Sequence, residues 1–458
     1  MSIRAVQPVA VLVTVALAAL PWSADAAGWK AGAAKQKITP GQSMWMAGYG
    51  ARNHPATGFL NDLFAKALVL EDERGTRVAI VGLDLVGIGP DVANPVRAEL
   101  ASKYNLPASH VALCCSHTHS GPVVGRNLPA LHYDLLDEEQ RKLVEAYTNK
   151  LEKAIVEVVG SAVGALAPCE VSFGHGTATF AANRRNNKEP DVPRLRAAGQ
   201  LVGPFDHDVP VLKIVDGKGA LSALLFGYAC HATVLDGYDW SSDYPGFAQS
   251  ELEARHPGCT AVFFAGCGGD QNPLPRRKVE LARQYGGDLA TAVDAALGGR
   301  LTPVSGRLDV RATHVDLALA HVPSAEEVAA DTQSSDKYVA ARARYFQSLL
   351  AAGKPIPASY SYPIQVWQLG DGPRLVTLGG EVVVEYALRL KHELGGERTW
   401  VAGYSNDVMA YIPSRRVLTE GGYEGGGAMV YYGLPSPWAP TVEEDIVRAV
   451  HSLVPAAK

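Results

Sequence analysis

The sequence is short of charge, of cysteine and of long apolar runs, and each shortage excludes something. Only 19% of the 458 residues are charged, as 42 Lys and Arg against 47 Asp and Glu. No basic cluster breaks that balance, so the electrostatic footprint of a nucleic-acid binder is missing. The six cysteines, Cys114, Cys115, Cys169, Cys230, Cys259 and Cys267, include no C-x-x-C pair. A thiolate zinc ribbon and a thioredoxin-type redox motif are thereby excluded. Disulfides and buried free thiols are equally good readings in a chain too large to need staples. What is present is a 47% hydrophobic share, enough for a large core. These features describe a globular protein and favour an enzyme.

The first 26 residues read as a secretory signal. Arg4 supplies a positive start, Val9 to Leu20 is an uncharged run of twelve, and Ala24-Asp25-Ala26 supplies small residues for cleavage after Ala26. The run is too short to cross a bilayer, and no later uncharged stretch approaches the ~20 residues a membrane-spanning helix needs. The expectation is an exported chain, secreted or periplasmic, with no transmembrane segment and a single large domain over 27–458.

Short apolar strands alternate with longer helical patterns. Strands are expected at 65–70, 78–85, 111–115, 209–215, 220–231, 261–265 and 374–378. Asp137 to Val159 reads as an amphipathic helix with Asp137 and Gln140 forming a capping box. An Ala-rich helical insert spans 324–352, capped by Ser324 and Glu327, and a last helix starts at Thr441 with Glu444 in the same arrangement. Residues 183–196 are polar and punctuated by proline, which predicts a loop. The pattern argues for an α/β fold of mixed β-sheets flanked by helices.

Four stretches carry chemistry. Ser116-His117-Thr118-His119-Ser120-Gly121-Pro122 follows a strand, and two histidines at i and i+2 on a strand would share a face. His231 closes another apolar strand, and Glu381 follows Gly379-Gly380, where it would open a helix towards Lys391. Alone, each has a plainer explanation: solvated histidines, a core histidine, a carboxylate favouring a helix dipole. Together, two histidines and one carboxylate at strand ends make a catalytic zinc set. The fourth stretch, Gly268-Gly269-Asp270-Gln271-Asn272, fits a tight turn in which Asp270 caps backbone amides better than a phosphoesterase metal site with Asp84 and Asn272.

In these residues the chain resembles the neutral/alkaline non-lysosomal ceramidases, zinc amidases that hydrolyse N-acylsphingosine to fatty acid and sphingosine. The resemblance runs through Ile38-Thr39-Pro40, Ala47-Gly48-Tyr49-Gly50, the histidine block at 116–122, Asn183-Arg184 and Ser241-Ser242-Asp243. It continues through Gly268-Gly269-Asp270, Gly380-Glu381, Tyr411-Ile412 and Tyr423-Glu424. It implies a catalytic domain of that fold, with Zn2+ held by His117, His231, Glu381 and Tyr411. His119, Arg184 and Tyr423 would meet the substrate or the reacting amide, with Asp243 and Asp270 supporting them. The expectation is that the family's C-terminal immunoglobulin-like domain has no counterpart after the helix at 441–453.

The resemblance implies a lipid-like N-acyl amide as substrate and transient contact with a membrane surface. Two other readings stay open. One is a zinc hydrolase of another N-acyl amide, such as a lipoamino acid, or of an ester. The other is an exported binding protein that keeps the fold without turnover.

Overall fold

The computed structural model describes residues 28–455. The expected signal sequence lies outside the described residues, up to Ala27. Two sheets form the centre. The larger runs, in spatial order, through Thr260–Ala265, Leu221–Tyr228, Asp208–Asp216, Ala167–Thr177, Lys30–Lys37, Phe64–Glu71, Arg77–Leu83 and Val111–Cys115, with Thr302–Pro303 paired to Ala167–Thr177. The smaller runs through Leu308–Ala318, Ser359–Leu369, Arg374–Leu378 and Thr399–Ala402.

Strict alternation along the strands builds two cores, because successive side chains leave a strand on opposite faces. Ala65, Ala67 and Val69 belong to one cluster, Leu68 and Leu70 to the other. The second cluster fills the space between the sheets, where Leu68, Ile80 and Phe264 meet Trp367, Leu375 and Trp400. Truncating tryptophans this buried typically costs roughly 3–5 kcal/mol each. The outer face of the large sheet packs on Glu138–Gly164, Asp243–Arg255 and Val279–Gly298, and the small sheet on Val384–Leu394 and Val442–Leu453. The architecture is therefore helix, sheet, sheet, helix, the mixed α/β arrangement expected.

Several local expectations need correction. The insert is two helices, Ala325–Asp331 and Lys337–Ala351, because Asp336 caps the second by accepting from the Tyr338 and Val339 amides. The Ser324–Glu327 box is present. At the last helix, Val442–Leu453, Thr441 makes no capping bond. Glu444 instead takes two N–H groups of Arg389, at 2.8 and 2.9 Å. Asp137 does cap its helix through the Gln140 amide, while the Gln140 carbonyl oxygen has no partner. Part of the expected loop at 183–196 is helical over Val192–Ala197, with Pro193 suited to a helix's first turn. All six cysteines are free thiols.

Candidate functional site

Three pairs of parallel strands end on one side of the molecule, and each pair contributes to one cluster. The pairs are Arg77–Leu83 with Val111–Cys115, Leu221–Tyr228 with Thr260–Ala265, and Arg374–Leu378 with Thr399–Ala402. His117 follows the first pair, and its Nδ1–H donates to the Val86 carbonyl at 2.6 Å. His231 follows the second, and its Nδ1–H donates to the Gly268 carbonyl at 2.6 Å. Glu381 and Tyr404 follow the third. Active sites of α/β sheets sit at such carboxyl ends.

The route to this convergence differs from the sequence expectation at three points. The strand carrying the histidine block stops at Cys115, so no strand face aligns His117 with His119. His117 adopts φ 62°, a left-handed conformation, and this turn brings its Nε2 to 3.0 Å from that of His119. The strand before His231 ends at Tyr228, and the His231 amide donates to the Gln271 carbonyl at 3.0 Å. Glu381 opens no helix: Glu381–Val382 forms a two-residue parallel ladder with Tyr411–Ile412, and the helix starts at Val384. A Cβ on Gly380 (φ 74°) would lie 2.6 Å from the Ala410 carbonyl, which explains a glycine there.

Both Nδ1 atoms carry protons to carbonyls, so the Nε2 atoms of His117 and His231 present lone pairs. Glu381 Oε2 lies 3.1 Å from the first and 3.0 Å from the second. Its other oxygen, Oε1, accepts the Tyr432 hydroxyl. Three acceptors thus face one another, an arrangement that repels unless a cation or proton sits among them. The ligand atoms of His117, His119 and His231 lie within 4.8 Å of one another, and the three could hold a metal ion. Burial, then Arg184, pushes His231 down to about 4, and burial with the neighbouring imidazoles takes His119 well below its usual range. The neutral imidazole is the form that ligates metal.

Around this centre stand the remaining sequence candidates. The Tyr411 hydroxyl is 3.2 Å from His231 Nε2 and accepts from Arg184 at 3.1 Å. Burial, with Glu381 nearby, holds it as a neutral phenol. Arg184 also donates to Glu424 at 2.7 Å and to Asn272 at 3.2 Å. Tyr423 stands at the rim, 48% exposed, with its ring 5.3 Å from that of Tyr411. His119 packs where Gly48 leaves room, since a Cβ there would approach its ring to 2.5 Å.

Asp243 and Asp270 shape backbone around the cluster. Asp243 accepts the Leu235 amide at 2.9 Å, just past His231. Asp270 accepts the Val384 amide at 2.9 Å and the Asn183 side chain at 2.8 Å, while its carbonyl takes the Arg184 amide. It therefore ties together the segments bearing Arg184 and Glu381, and the amide its side chain accepts belongs to a distant segment and not to its own turn. Asp84 is likewise engaged by the Phe64 amide at 2.9 Å.

Two tyrosines escaped the sequence reading. Tyr432 holds Glu381, and Tyr404 lays its ring 4.4 Å from that of His117. Tyr404 is fully buried at φ 50°, a conformation that costs a bulky residue about 1–3 kcal/mol. The surrounding bonds hold it there: its amide donates to Gly380, and its carbonyl accepts from Cys115. No local spacing marks either residue.

Comparison with known proteins gives consistent matches. The family described as neutral/alkaline non-lysosomal ceramidase, N-terminal, matches residues 29–266. A neutral ceramidase of Drosophila pseudoobscura pseudoobscura is 28% identical over 261 residues, 55% of this chain and 36% of that protein. One from Mycobacterium tuberculosis is 28% identical over 302 residues, 59% of this chain and 46% of that protein. The chain thus spans less than half the length of these relatives. The crystal structure of neutral ceramidase from Pseudomonas aeruginosa superposes with a TM-score of 0.70 at 21% identity, over 95% of this chain and 76% of that one, a likeness of fold.

Proposed function

The chain belongs to the neutral/alkaline non-lysosomal ceramidase family, and from that premise we propose that it is an exported zinc amidohydrolase cleaving N-acylsphingosine to fatty acid and sphingosine. The observation that supports this most is the convergence of three acceptor atoms, with Glu381 Oε2 at 3.1 Å from His117 Nε2 and 3.0 Å from His231 Nε2. Their chemistry, two imidazoles and a carboxylate with a nearby phenol, fits zinc. His117, His231, Glu381 and Tyr411 would hold it. When bound, zinc supplies a Lewis acid for the carbonyl and acidifies water towards a pKa of ~7.

The protein's own groups do the rest. The carbonyls of Val86 and Gly268 fix the tautomers of both ligand histidines and aim their Nε2 atoms. His119 and the Tyr423 hydroxyl offer hydrogen-bond donors to the oxygen that gains charge as the amide is attacked. Arg184, held charged against burial by Tyr411 and Glu424, has the planar fork suited to the carboxylate released. Replacing Arg184 by alanine is expected to leave zinc bound while slowing turnover. Zinc content measured beside turnover checks this, and loss of zinc in the variant would refute the assignment.

The direct experiment is hydrolysis of a short-chain ceramide in detergent micelles, with chelator-treated protein beside it. Release of sphingosine that stops with chelator and returns with zinc supports the proposal. No release from zinc-loaded protein overturns the ceramide assignment, and a purified protein without metal revives the binding-protein reading. Among the described residues no helix is long and apolar enough to cross a membrane.

A further inference from the structure

Beside the imidazole cluster a cavity of about 530 Å³ opens to solvent, and four cationic side chains line it. Arg184 lines it together with Tyr423, Arg185, Lys188 and Arg276. Against these four cations the lining holds two carboxylates, Glu189 and Glu424. Glu424 is shared by Arg184 and Arg185, at 2.7 and 2.6 Å, and Glu189 takes Arg276 at 2.9 Å. A third carboxylate, the half-exposed Glu420, reaches Arg185 from outside the lining. Lys188 makes no salt bridge among the described residues. The Arg185 Nε–H, which is buried, has no acceptor among the described residues. The whole chain carries a net charge of −5, so this local excess runs against its average.

One guanidinium suffices for the carboxylate that amide cleavage releases, and Arg184 already fills that role in the proposed reaction. With Glu420 counted, three carboxylates face four cations, and the exposed Lys188 is left without an anion among the described residues. An uncharged N-acylsphingosine has none to offer. We propose that this cavity is a subsite for a carboxylate carried by the substrate itself, so that N-acyl amino acids are substrates of the same centre. This rests on the amidohydrolase reading above and names a substrate class for it. A concave, net-positive lining attracts a carboxylate more strongly than an uncharged surface does, and the preference weakens with salt.

The test separates binding from turnover. N-dodecanoyl-L-glutamate and the uncharged N-dodecanoylethanolamine are titrated calorimetrically into the full chain after chelator treatment, and both are then offered as substrates to zinc-loaded protein. The proposal expects the acidic amide to bind at least tenfold tighter at low ionic strength. Lys188→Glu, at an exposed position, should erase about five- to tenfold of that margin and leave the uncharged amide unaffected. An N-succinyl alkylamine, with its carboxylate on the acyl side, tells which side of the amide the cavity serves, and tighter binding of either acidic amide supports the subsite. Equal binding of acidic and uncharged amides, or a margin untouched by Lys188→Glu, overturns it. Binding of the acidic amide without cleavage of any amide would sink the amidohydrolase reading and, with it, this substrate class.

Discussion

On the proposed zinc site, replacing His117 by alanine is expected to abolish metal retention and to cost at least ~10³ of the hydrolytic rate, about 4 kcal/mol of barrier. Three facts make this the most sensitive position. Its Nε2 is within 3.1 Å of both His119 Nε2 and Glu381 Oε2, so it is central to the donor set. It is 1% exposed. Its removal also leaves Glu381, a buried carboxylate, with one imidazole instead of two. Zinc retained after dialysis and the rate on the accepted amide are the two readings. A His117→Ala protein with full activity would end the model of the site.

The second large effect concerns acid stability. His132 is buried, and its Nε2 accepts the Gly48 amide at 2.9 Å. Burial, then the nearby Arg52 and Lys337, pushes its pKa down to about 3. In the unfolded chain it titrates near 6.5. Below that value the unfolded chain binds a proton that the folded chain refuses. Stability is therefore intact above about pH 6.5 and falls as pH drops towards 3, by roughly 1.4 kcal/mol per unit and roughly 3–6 kcal/mol in all. Asp84 and Asp243, raised to about 6 by burial, have the opposite sign: their contribution is present at low pH and is lost as pH rises through 6. Comparison with His132→Gln isolates the histidine. Denaturant unfolding at pH 7, 5 and 4 should show the wild type losing stability faster than the variant, and parallel losses would contradict the assignment. Gly48 abuts the His119 ring, so the same protonation would loosen that side of the site.

The sequence disclosed some of this better than the rest, for physical reasons. Val111–Cys115 and Arg374–Leu378 occupy the expected residues because short β-branched runs next to turn residues have few alternatives. The histidine block and Glu381 were legible as residue types following strands. Their geometry was not. That His117 turns left-handed and that Glu381 pairs with Tyr411 depend on neighbours far away in the chain, which no local pattern encodes. Arg184 and Tyr423 became candidates only through family resemblance, because an arginine in a polar loop and an exposed tyrosine are individually commonplace. Tyr404 and Tyr432 were missed for the same reason: only the folded chain brings them to His117 and Glu381.

The stretch around Tyr404 also joins the two outermost strands of the large sheet. The Gly403 amide donates to Ala265 at the end of one, while the Tyr404 carbonyl accepts from Cys115 and the Asn406 amide donates to Leu113 on the other. The Leu113 amide returns a bond to the Asn406 side chain at 2.9 Å. A ribosome delivers those strands long before it delivers this clasp. Until residues 381–411 have emerged, the nascent chain has histidines but neither the carboxylate nor the tyrosine that faces them. Closing contacts between such distant segments is entropically slow. The proposed centre is thus completed only when these segments meet, and a metal bound by all four groups would mark a chain that has finished folding.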